Sequence, residues 1–112
     1  MPDNVAEARF QAQVVRLARE LGLVVHHHYD ARKSSPGWPD LAIVDPRPVG
    51  WTGPIGETQG MPYVYLVELK TARGKLTREQ ELWLRALHGK TVVAECWRPG
   101  QLQEILAKLR GA

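Results

Sequence analysis

The sequence predicts a small mixed α/β domain in the order helix, three strands, helix, strand, helix. Two patterns carry that expectation. Apolar residues recur at helical spacing in three stretches, and β-branched and aromatic residues cluster in four short runs between them. Gly and Pro punctuate the joins. With 112 residues, the chain is expected to form one domain, residues 1–112, with no room for a second.

The first helix is expected over 5–21. Phe10, Val14, Leu17, Ala18 and Leu21 form its apolar stripe, Asp3 or Asn4 can cap its start, and Gly22 is placed to end it. A strand follows from Leu23 to Tyr29, then a loop from Asp30 to Pro39 marked by Ser34-Ser35-Pro36-Gly37. Asp40 to Val44 reads as a buried strand. Asp45 to Pro62 is rich in Gly and Pro without periodicity and reads as an exposed loop. Tyr63 to Lys70 is the clearest strand. A helix from Thr77 to about His88 is closed by Gly89, a strand spans Thr91 to Trp97, and Leu102, Ile105, Leu106 and Leu109 line a last amphipathic helix. Strands two and three are expected to pair antiparallel. Strands three and four, joined through a helix, are expected to be parallel with a right-handed crossover, giving a small mixed sheet flanked by helices.

Composition narrows the function classes. Apolar residues make up 44% and charged residues 24%, ordinary for a soluble protein. No apolar run approaches the ~20 residues of a membrane span, and no basic segment followed by an apolar core opens the chain, so neither a membrane anchor nor a secretory signal is expected. Cys96 stands alone, which excludes a disulfide framework, disfavours a cysteine zinc site and makes a reducing cytoplasm the expected setting. The net charge of +3 leans toward an anionic partner, although solubility alone explains a small excess.

The third strand carries the chemistry. Alternation puts Val64, Leu66, Glu68 and Lys70 on one face and Tyr65, Val67 and Leu69 on the other. Two opposite charges thus end one otherwise apolar face. By itself, a Glu-x-Lys reads as an ion pair at a strand end. Asp40 changes that reading. It follows Gly37-Trp38-Pro39 and opens the second strand, and antiparallel pairing would set it beside Glu68. Two carboxylates at one place repel unless they share a proton or a divalent cation, and hard oxygen ligands favour Mg²⁺ or Mn²⁺ over zinc.

Two helices add polar residues to inward faces. Glu7 lies seven residues before Val14 and eleven before Ala18, inside the apolar stripe. Gln80 precedes Trp83, Leu84 and Leu87 in the same way. Asn4 with Glu7 and Thr77 with Gln80 also have capping-box spacing, so a local explanation exists for each, and cap and function can coexist.

Glu7, Ser35-Pro36-Gly37-Trp38-Pro39-Asp40-Leu41, Val67-Glu68-Leu69-Lys70-Thr71, Gly74-Lys75-Leu76-Thr77 and Gln80 together resemble the VRR-NUC (virus-type replication-repair nuclease) family of the PD-(D/E)XK superfamily, in its stand-alone phage and bacterial form. The resemblance runs from about Glu7 to the final helix and implies a restriction-endonuclease-like core, αβββαβ plus a C-terminal helix. The 45–62 loop departs from a compact member and bears on substrate preference. The resemblance further implies a Mg²⁺- or Mn²⁺-dependent DNA endonuclease, homodimeric, acting on branched DNA, Holliday junctions or flaps in replication, repair or recombination. Asp40 and Glu68 would be the principal metal ligands, with Glu7 in or just behind that set and the Leu69 carbonyl assisting. Lys70 would orient the attacking water and stabilise charge on the phosphate, and Gln80 would position water or a neighbouring group. The alternative is a noncatalytic nucleic-acid-binding module, or a subunit of a phage DNA-processing assembly.

Arg32 and Lys33 before Asp40, and Arg73, Lys75 and Arg78 after Lys70, bracket the motif as candidate phosphate contacts. His26, His27 and His28 alternate faces, so they do not converge as zinc ligands, and one of them is expected near the active edge. Trp38 could stack on a base. Packing is expected for Trp83, and Trp51 falls in a loop without an assigned role. Ser34 and Ser35 have no visible base beside them to make a nucleophile.

Overall fold

The computed structural model describes residues 2–28, 35–45 and 64–110. Helix α1 (Pro2–Glu20) leads into strands β1 (Val24–His27), β2 (Leu41–Val44) and β3 (Val64–Leu69). Helix α2 (Arg78–Leu87), strand β4 (Val92–Trp97), a 3₁₀ turn at Pro99–Gln101 and helix α3 (Leu102–Leu109) complete the order. The strands form one sheet in the order β1-β2-β3-β4, antiparallel at the first two junctions and parallel between β3 and β4. This is the mixed sheet flanked by helices that the sequence predicts, with the αβββαβ order and a C-terminal helix. The expected 45–62 loop, apart from Asp45, lies outside the described residues.

Local chemistry sets the boundaries. Helix α1 ends in a Schellman closure: Gly22 N donates to Arg19 O and Leu23 N to Ala18 O, both at 3.0 Å. That closure needs a left-handed residue, and Gly22 supplies it with φ 84°. The other end departs from expectation. Helix α1 begins at Pro2, so Asp3 and Asn4 lie inside its first turn and not at the cap position. Proline suits a helix start because its missing N–H would be unpaired there. Helix α2 begins as expected, with Thr77 as N-cap and a complete capping box to Gln80.

The core lies on one face of the sheet. Phe10, Val14 and Ala18 of α1 pack with Leu41 and Ile43 of β2, with Tyr65, Val67 and Leu69 of β3, and with Trp97, Ile105 and Leu109. Tyr65 Oη donates to Lys108 O at 3.1 Å, and Lys108 Nζ donates to Glu95 Oε1 at 2.7 Å, which ties α3 to the sheet. Burial pushes the Glu95 carboxyl up, but bonds from Lys108 and from the Trp97 indole N–H outweigh it and hold the group below its usual range. The opposite face, with Leu66 opposite Ala94 and Glu68 opposite Cys96, takes α2 and its buried Leu84. Glu68 is therefore a carboxylate on a buried face, only 3% exposed.

Candidate active site

The turn before β2 is built to press against α2. Trp38 N donates to Ser35 O at 3.1 Å, closing a turn with Pro36 and Gly37 at its centre. Gly37 has φ 85°, and a Cβ there would stand 2.5 Å from the Glu79 carbonyl carbon and 2.6 Å from Gln80 N. Only glycine allows both the left-handed backbone and that approach. Trp83 Nε1 donates to Pro36 O at 2.9 Å, and the Trp38 and Trp83 rings meet edge to face with centroids 5.0 Å apart. Packing therefore accounts for both tryptophans. The turn is clamped to the start of α2, and Asp40 and Gln80 are placed relative to each other by that clamp.

Asp40 is fixed from several sides. Its backbone carbonyl accepts from His28 N at 2.9 Å, and its Oδ2 accepts from Leu69 N at 2.9 Å. The β2–β3 register, with Leu41 opposite Val67, brings Asp40 to the Glu68 end of β3. The antiparallel argument from sequence thus holds in detail.

Glu68 is the focus of the site. Gln80 Nε2 donates to its Oε1 at 2.9 Å, while Gln80 Oε1 accepts from Thr77 N at 2.8 Å. Gln80 caps α2 and holds Glu68 at once. The second carboxyl oxygen, Glu68 Oε2, is buried and has no donor. Loss of water, then the charge and contact of Asp40, push the Glu68 carboxyl up to about 9; the Lys70 ammonium pulls against this, and the Glu7 charge adds to the rise. Glu7, Asp40, Lys70 and Gln80 therefore all act on Glu68 at this edge.

The elements that build this edge fall within the match to a known family. The profile of the VRR-NUC domain matches residues 4–98. The chain belongs to the VRR-NUC family. That is a nuclease family, so nuclease chemistry is the frame in which this edge is read. Comparison with curated proteins gives no significant match, and comparison with solved structures gives none either.

The donor set of the VRR-NUC edge fits a hard divalent cation. An orphaned oxygen of Glu68 beside the Asp40 carboxylate is a place for positive charge. Among the described residues, no three His, Cys, Asp or Glu side chains form a cluster that could enclose an ion. Mg²⁺ is commonly held by one or two carboxylates together with water and substrate oxygens. Glu7 is half-buried and acts on Glu68 through its charge. Asn4 lies within α1, so the N-cap that would have explained Glu7 locally is not at that position.

The remaining sequence expectations divide. Leu69 is fully buried in the core, and its N–H holds Asp40. Arg73, Lys75 and Arg78 are exposed in the segment after Lys70. Arg32 and Lys33 lie outside the described residues, as do Ser34 and Trp51. His26 and His28 share a side, with rings 6.0 Å apart, while His27 turns to α1 and bonds Gln11 through Nε2. Burial lowers the His27 pKa and the Asp40 charge opposes it, while the His28 backbone N–H bonds the Asp40 carbonyl. Sequence reasoning passed over Arg98. Its guanidinium donates to Thr71 O at 2.7 Å and to Gly74 O at 2.5 Å, and nothing in its spacing signals that contact.

Proposed function

We propose that this protein hydrolyses phosphodiester bonds in DNA with Mg²⁺ or Mn²⁺ held by Asp40 and Glu68. The observation that carries the reading is the buried, donor-free Oε2 of Glu68 in a carboxyl group that the Asp40 carboxyl acts on directly. A structural ion pair would satisfy that oxygen. When bound, a divalent ion supplies a lowered pKa for an attacking water and positive charge for the phosphate. Without it, Glu68 keeps its proton at neutral pH, so binding the ion and losing that proton are one event.

The chain's own residues do the rest. Lys70, at the end of β3, orients the attacking water and stabilises charge on the phosphate. Gln80 holds Glu68 through Oε1 and leaves Oε2 without a donor. Glu7 adds negative charge behind the pair, and the Leu69 carbonyl is a further oxygen for the ion. Exposed Arg73, Lys75 and Arg78 take the DNA backbone, a contact that is sequence-independent and salt-sensitive. Hydrolysis is in-line and leaves a 5′-phosphate and a 3′-hydroxyl. A single domain that pairs as a homodimer in the cytoplasm suits cutting of both strands of a branched substrate in replication, repair or recombination. Among the described residues, no helix is long and apolar enough to cross a membrane.

The test is a panel of junction, flap, splayed-arm, nicked and plain duplex DNA, each with Mg²⁺, Mn²⁺ or a chelator. Cleavage only with metal, fastest on branched forms, is expected. Binding to every form without cleavage would instead identify a noncatalytic module or an assembly subunit.

A further inference from the structure

The segment that follows Lys70 is held by the residue just after β4. Thr71-Ala72-Arg73-Gly74 folds back as a turn, with Gly74 N donating to Thr71 O at 3.2 Å and to Thr71 Oγ1 at 3.1 Å. Both ends of the turn present a carbonyl to the same nitrogen. Arg98 Nη1 donates to Thr71 O at 2.7 Å and to Gly74 O at 2.5 Å. Arg98 is itself anchored: its N–H donates to Gln101 Oε1 at 2.9 Å, and the preceding Trp97 carbonyl accepts from Lys70 N at 3.1 Å. The Lys70 stem rests on this turn, since a Cβ at Gly74 would stand 3.4 Å from Lys70 Cδ.

The arrangement is costly unless it has a use. A half-buried guanidinium is spent on two backbone carbonyls of a surface turn, where an apolar side chain would cover the same strand end. Bridging both carbonyls fixes the width of the turn, and with it the floor under Lys70.

We infer that Arg98 is a positioning residue for Lys70: by clamping the Thr71–Gly74 turn, it sets where the Lys70 ammonium stands relative to the Asp40–Glu68 edge. The inference rests on the proposed hydrolysis, in which Lys70 acts on the water and the phosphate. Arg98 touches no reacting atom in this scheme. Its loss therefore slows the chemical step more than it weakens DNA binding, and a side chain that can still donate to both carbonyls restores the rate.

The experiment compares Arg98→Met, Arg98→Lys and wild type by steady-state cleavage and by amide hydrogen exchange of the 70–75 segment. For Arg98→Met, kcat falls at least about tenfold, which is about 1.4 kcal/mol of barrier. KM changes by no more than about threefold, exchange at Gly74 speeds up, and Arg98→Lys returns kcat to near the wild-type value. A wild-type kcat in Arg98→Met overturns the inference. So does a loss confined to KM, which would make Arg98 a binding residue. If Arg98→Met does not fold, Arg98→Gln, which keeps an amide donor but cannot span both carbonyls, must show the same kcat loss, and its absence is equally decisive. Should wild type cleave no DNA with either metal, the hydrolytic reading fails by itself. The exchange data then decide the clamp: unchanged protection at Gly74 in the variants removes it, and selective loss there keeps it.

Discussion

Gln80 Nε2 donates to Glu68 Oε1 at 2.9 Å while the other end of the same amide caps α2 through Thr77. One side chain thereby links the start of a helix to the most buried carboxyl of the site. The arrangement leaves Glu68 with one satisfied oxygen and one free for a cation. Replacing Gln80 breaks both links together. Gln80→Ala is expected to lose about 1–2 kcal/mol of stability from the cap and the buried bond. It is also expected to slow cleavage by about tenfold or more. Denaturant titration alongside steady-state kinetics measures the two losses, and an intact cleavage rate would remove Gln80 from the site.

Glu68 gives the protein a pH dependence of definite sign. Its folded carboxyl sits near 9 against an ordinary 4.5, so its protonated form favours the folded state. That contribution is intact below about pH 4.5 and is lost as pH rises toward about 9. Metal-free wild type is therefore expected to lose Tm relative to Glu68→Gln as pH is raised across this window. Saturating Mg²⁺ should restore wild type most at the alkaline end and leave Glu68→Gln unchanged. Thermal melts at a series of pH values with and without Mg²⁺ measure this.

Gly37 tests the clamp between the turn and α2. An alanine there meets backbone at 2.5–2.6 Å and must also hold φ 85°. The cost is expected to be about 1–3 kcal/mol, or a Tm drop of at least about 5 °C. Cleavage by the folded fraction should fall as well, because Asp40 and Gln80 are both placed by that contact. A Gly37→Ala protein with wild-type Tm and rate would contradict the close approach.

Glu95 and Lys108 supply the control, since they lie on the core face away from Glu68. The Glu95 carboxyl is held low by Lys108 and Trp97 despite burial, so its stabilising contribution is present above about pH 4.5 and fades as pH falls further. Glu95→Gln is expected to cost about 1–2 kcal/mol at neutral pH, to cost little in acid, and to leave kcat unchanged. Denaturation at two pH values and one cleavage assay decide it.

The strand carrying Glu68 and Lys70 was legible because alternation over a short strand leaves little freedom, and the buried face it predicts is where Glu68 lies. The meeting of Asp40 with Glu68 was legible because antiparallel pairing follows from sequence adjacency of two strands. Gln80 was legible as a polar residue in an apolar stripe. The start of α1 was not: Asn4 has cap chemistry, but proline at position 2 lets the helix begin earlier. Arg98 was not legible either. Its partners are backbone carbonyls of Thr71 and Gly74, and a carbonyl leaves no mark in the sequence that would summon a guanidinium from the far side of β4.

The central claim is that Asp40, Glu68 and Lys70 make one metal-dependent hydrolytic centre. Nicking of supercoiled DNA by wild type, Asp40→Ala and Lys70→Ala, with Mg²⁺, Mn²⁺ or chelator, tests it most directly. Wild type is expected to nick only with metal, and both variants are expected to fall by at least about a thousandfold while still unfolding cooperatively as folded proteins. Equal nicking by the folded variants, or metal-independent nicking by wild type, would contradict the claim.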